Sequence, residues 1–79
     1  YNLVEYHDGC FYFYPDIYNY KPDYTVLIEE ILNSYGISYT DEFIKQIIQK
    51  GKKEKKVDIS QIYNQMKVKL VFEDISLFQ

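Results

Sequence analysis

Three times between Tyr24 and Met66 the apolar residues return with the period of a helix, and each run is bracketed by residues that start or stop one. Leu27, Ile28, Ile31, Leu32 and Tyr35 share one helical face, with Glu29, Glu30, Asn33 and Ser34 on the other. Asp23 stands where an N-cap side chain is wanted, and Gly36 where a left-handed residue closes the last turn. The second run opens at Thr40. Asp41 and Glu42 lie toward the positive end of its dipole, Phe43, Ile44, Ile47 and Ile48 line one side, and Gly51 is expected to end it. After a Lys-rich stretch, Asp58 and Gln61 have the spacing of a capping box and open a third helix with Ile59, Ile62, Tyr63 and Met66 inward.

The two ends are open to two readings. Residues 1–14 fit a helix on Leu3, Tyr6, Cys10 and Tyr14. They equally fit a hairpin turning at His7-Asp8-Gly9 into the β-prone run Cys10-Phe11-Tyr12-Phe13-Tyr14, which residue propensity favours. Val68, Leu70 and Phe72 alternate like a strand, although Met66 and Leu70 could prolong the third helix. Periodicity alone decides neither end.

At 79 residues the chain has room for one domain, residues 1–79, expected to be a piece of a longer protein. Its 47% apolar and 19% aromatic content exceeds what a disordered chain carries. No apolar run approaches the roughly 20 residues that span a bilayer, so a soluble, cytoplasmic protein is expected. Cys10 is the single cysteine, and a reducing compartment fits it. The net charge is −3, yet residues 50–56 hold five Lys against Glu54, a local +4 that leaves −7 on the remainder. Acidity belongs to the body and basicity to one stretch.

The link Tyr35-Gly36, Tyr39 and Thr40-Asp41-Glu42, followed by Val57-Asp58-Ile59-Ser60-Gln61-Ile62, resembles the calmodulin-like EF-hand superfamily, in particular its degenerate myosin light chain type. In that family a large apolar residue and Gly end one helix, Thr-Asp-Glu opens the next, and an aliphatic residue joins a short bridge between calcium loops. The resemblance implies a mainly α fold, an EF-hand-like pair of helix-loop-helix units. The alternative from the residues themselves is a small α+β domain with an N-terminal hairpin and a C-terminal strand. Calcium is not expected on either reading. A loop ending at Gln61 places Lys50, Lys52 and Lys56 at ligand positions, and one beginning at Asp16 supplies Tyr18, Tyr20, Pro22, Tyr24 and Leu27 where oxygens are needed.

What the resemblance implies for function is an adaptor lobe that binds no calcium. It would hold an amphipathic helix of a partner, such as a myosin neck or tail, in a groove of Leu27, Ile31, Ile47, Ile62 and Met66. The acidic body would favour a basic target. The competing reading is an α+β module for protein or nucleic-acid interaction within a larger assembly. Five Lys without Arg make a weak nucleic-acid signature, and no cation lies among the aromatic residues from Tyr1 to Tyr20. His7, Asp8 and Cys10 offer metal-capable and nucleophilic groups, but no second cluster or phosphate loop accompanies them, so neither enzyme activity nor a cofactor is expected. Glu29-Glu30 and Asp41-Glu42 are adjacent on helices and do not face one another, which makes them solvated charges rather than an acid/base pair.

Overall fold

The computed structural model describes residues 2–66 and is an α+β fold. The hairpin reading of the N-terminus is the one that forms. Strand β1 (Val4–His7) turns through Asp8-Gly9 into β2 (Cys10–Phe13), with His7 opposite Cys10 and Val4 opposite Phe13. Both turn residues have positive φ, 49° and 79°, the backbone of the tight turn whose twist matches the flanking strands. Asp tolerates that region and Gly adopts it without steric cost.

Helices α1 (Tyr24–Ser34) and α2 (Asp41–Glu54) follow, then strand β3 (Lys56–Asp58), which pairs antiparallel with β2 and places that strand at the centre of the sheet. A third helix, α3, runs from residue 59 to the limit of the described residues at 66. The mainly α, EF-hand-like expectation is therefore corrected. The residues read as a calcium loop are the last turn of α2 and a strand, and Val57 pairs with Phe11 of the hairpin instead of a second loop. The β-prone aromatic run Cys10–Phe13 needed strand partners on both sides, and the chain supplies them from its first residues and from Lys56–Asp58. The proposed C-terminal strand at Val68, Leu70 and Phe72 lies outside the described residues.

Strand alternation sorts the sheet. Val4, Phe11, Phe13 and Val57 are buried toward the helices, joined by half-buried Tyr6, while Glu5, His7, Cys10, Tyr12, Lys56 and Asp58 belong to the opposite face. Against the inner face lie Ile28 and Leu32 of α1, Phe43, Ile44 and Ile47 of α2, and Ile62 of α3. Each such side chain contributes roughly 1.5–3 kcal/mol by leaving water.

The helix boundaries follow from side-chain and backbone hydrogen bonds. The Asp23 carboxylate accepts from the Thr25 amide at 3.1 Å and the Thr40 hydroxyl from the Phe43 amide at 3.2 Å, each satisfying a donor that the first turn leaves free. Gly36, at φ +68°, donates to Asn33 O, and Ile37 donates to Leu32 O, the paired bonds of a Schellman ending for α1. Asp58 caps α3 through the Ser60 amide at 2.9 Å. Gln61 does not complete the capping box; its carbonyl oxygen accepts from Lys50 Nζ at 2.8 Å.

Gly51 does not end α2, contrary to expectation. The helix continues to Glu54 and closes on Lys55, whose φ of 68° is left-handed and whose amide donates to Gly51 O at 2.8 Å. Gly51 is buried because the Phe13 ring occupies the place its side chain would take, and a Cβ there would lie 2.2 Å from Phe13 Cε1. Helix propensity and packing thus oppose each other at this position. Gly51→Ala adds about 1 kcal/mol of propensity but overpacks a filled contact, which costs about 1–3 kcal/mol. Urea unfolding should show Gly51→Ala as net destabilising, with Phe13→Leu less harmful in that background than in the parent. Lys55→Gly relieves the left-handed residue and should raise stability by about 0.5–1 kcal/mol.

Candidate functional site

Strand order leaves β1 at an edge of the sheet. Tyr14 N donates to Leu3 O at 2.8 Å, and His7 opposes Cys10 across the two-residue turn, so the backbone groups of Leu3, Glu5 and His7 face β2. Those of Val4 and Tyr6 then point outward, and among the described residues they meet no backbone partner. Unpaired N–H and C=O groups on an edge are a template for another strand.

A cleft of about 470 Å³ lies along this edge. Its lining includes Asn2 and Leu3 and then all four residues of β1, Val4, Glu5, Tyr6 and His7, which belong to both faces of the strand, so the space borders the edge of the strand and not one face of the sheet. The opposite wall is one face of α1, Leu27, Glu30, Ile31 and Tyr35. Tyr20 and Pro22 come from the segment leading into α1. At the far end of the helix the Tyr35 ring sits 4.7 Å from that of Tyr6, which in turn contacts Phe11 at 5.1 Å.

The approach to the cleft is held by Asp16. Its two carboxylate oxygens accept from the Tyr20 and Lys21 amides, each at 2.8 Å, and its carbonyl accepts from Asn19. This carboxylate, which a calcium loop would have used as its first ligand, organises a loop in which Asn19 and Lys21 take positive φ. Among the described residues no three His, Cys, Asp or Glu side chains gather closely enough to hold a metal ion. His7 lies 3.5 Å from Glu5 with its ring tilted against that of Tyr12, and Cys10 is a half-buried free thiol.

The groove expected from sequence is divided. Leu27 and Ile31 line the β1–α1 cleft, but Ile47 and Ile62 are fully buried in the core. Met66 borders a separate hollow with Ser38, Tyr39, Thr40, Phe43 and Tyr63, where the Phe43 and Tyr63 rings stack 4.6 Å apart. Sequence reasoning did not single out Glu5, Tyr6, Glu30 or Tyr35 as site residues. Glu30 read as a solvated charge, and the signal for β1 was the hairpin alternative, which makes Val4–His7 an outer strand.

Charge separates the two sides of the molecule. Among the described residues the cleft lining holds Glu5 and Glu30 and no Lys. The Lys residues of 50–56 cluster at the end of α2 and in β3, where they complement the helix dipole. There Lys52 lies 5.7 Å over the Tyr24 ring and Lys56 5.6 Å over Tyr12. No helix among the described residues is long and apolar enough to cross a membrane. Compared with known proteins, the chain matches no family model, no curated protein and no solved structure.

The Glu5 carboxylate bonds the Tyr14 hydroxyl and holds its pKa above the ordinary phenol value of 10.0, with desolvation a smaller cause. A raised phenol pKa means that this contact contributes to stability below pH 10 and loses its contribution as pH rises through the folded-state pKa. In an NMR titration of the tyrosine ring carbons, Tyr14 should titrate later than an exposed tyrosine, and Glu5→Gln should bring it back down.

Proposed function

We propose that this chain is a small α+β protein-interaction module, acting within a larger assembly, whose binding site is the cleft between β1 and α1. The observation that carries this reading is the coincidence of a strand edge that is open among the described residues with a cleft lined along the full length of that strand. A binding surface needs apolar area and directional polar groups together. Val4, Leu27, Ile31 and Pro22 supply the first, and the outward backbone of Val4 and Tyr6 with Glu5 and Glu30 supplies the second.

The helix-clasping arrangement depended on two helix-loop-helix units closing around one groove, and the fold that replaces them buries Ile47 and Ile62. Nucleic acid is the weaker partner for this cleft, since its carboxylates repel phosphate and its lining among the described residues holds no Lys. Among the described residues the basic end with Tyr12 and Tyr24 is what favours a nucleic-acid reading, and there Lys52 and Lys56 already lie over aromatic rings and Lys52 and Lys53 complement the helix terminus.

Selection of displayed random twelve-residue peptides against the folded chain, followed by amide-resolved NMR titration with the enriched peptides, tests the proposal. Shifts are expected along residues 2–7 and 27–35 and not along 50–56. Failure to enrich any peptide, together with shifts confined to Lys52–Lys56 on adding a single-stranded oligonucleotide, would move the function to the basic end.

A further inference from the structure

The β1 edge is specific about how a partner can bind. We infer that the occupant of the cleft is an extended, basic peptide segment of another protein, added to the sheet as a fourth strand beside β1; this rests on the interaction-module reading above. Outward backbone groups at Val4 and Tyr6 are two residues apart, so they match alternate residues of an extended chain and not the spacing of a helix. Added there, a strand exchanges hydrogen bonds with both residues. It lies against the Leu27 and Ile31 side of α1, where an alternating apolar side chain finds cover.

Charge selects the remaining side chains. Glu5 lies on the outer face of the sheet and Glu30 on the helix that covers the inner face, so a Lys or Arg on either face of the added strand has a carboxylate on its own side. Glu5 is already approached by His7 at 3.5 Å and bonded by the Tyr14 hydroxyl, whereas Glu30 is exposed and has no ion pair among the described residues. Glu30 is accordingly the residue that sets the preference for a cation. The Tyr20 and Tyr35 rings, both exposed and lining the cleft at the two ends of α1, add faces for the cation or its aliphatic stem. A second copy of this chain is a poor occupant, because edge-to-edge pairing would set two such acidic clefts against each other.

The test uses the peptides enriched by display, resynthesised in three forms. Single backbone N-methyl groups scanned along the peptide should abolish binding at alternate positions and leave the positions between nearly unaffected. Glu30→Lys, a change at an exposed helix position, should weaken Lys- or Arg-bearing peptides by about tenfold. Their Lys→Glu versions should recover affinity for that variant. Enriched peptides that tolerate N-methylation throughout, or that bind as helices by circular dichroism, would overturn strand addition while leaving a peptide-binding cleft in place. Equal affinity of the parent chain for basic and acidic versions would overturn the charge selection. Enrichment of no peptide would remove the interaction-module reading itself. Sedimentation showing a dimer that Glu30→Lys does not alter and that excludes the peptide would assign the edge to self-pairing.

Discussion

The position of α2 on the sheet is set by one contact, the Phe13 ring lying where Gly51 has no side chain. Phe13 belongs to β2, the strand that pairs with both neighbours, so a helix seated on it is centred on the sheet. Close approach at Gly51 brings Phe43, Ile44 and Ile47 of α2 into contact with the inner face, where Phe11 and Val57 meet them. Once α2 is fixed, α1 has only the β1 side left to cover. Its apolar stripe is broad enough to bury Ile28 and Leu32 while Leu27 and Ile31 remain at the cleft. The open edge and its neighbouring wall are therefore consequences of where the central helix sits.

Much of this was legible in the sequence, and what was hidden has a physical cause. Both helix starts at Asp23 and Thr40, the cap at Asp58 and the ending at Gly36 are local hydrogen-bonding problems with few solutions, and the chain states them in its residue types. The hairpin was legible too, since Asp8-Gly9 followed by Cys10–Phe13 is a strong short-range signal, but the helix pattern that followed outweighed it. Gly51 misled because a glycine late in a helical run resembles a stop. Its real partner, Phe13, lies 38 positions earlier in the sequence, and no local pattern reports that. The resemblance to EF-hand lobes grew from helix punctuation that any helical hairpin uses.

The candidate site was less legible than the fold for the same reason. Leu27 and Ile31 are on the apolar stripe with Ile28 and Leu32, and only the packing of α1 over β1 decides which of them reach the core. Ile47 and Ile62 resemble them in sequence but are fully buried, where Leu27 and Ile31 are half-buried. Backbone groups at a strand edge carry no residue-type signature, so the feature most useful for binding is the one that side-chain chemistry could not announce.

Lys55 joins α2 to β3 without any intervening loop. Its amide bonds Gly51 O in the helix, and its carbonyl accepts from Phe13 N in the central strand, both at 2.8 Å. A single residue is therefore a shared boundary between helix and sheet, and neither can fray there without releasing the other. Amide exchange at the end of α2 should accordingly follow the opening of the sheet, so that this exposed and highly charged corner behaves as interior in its dynamics.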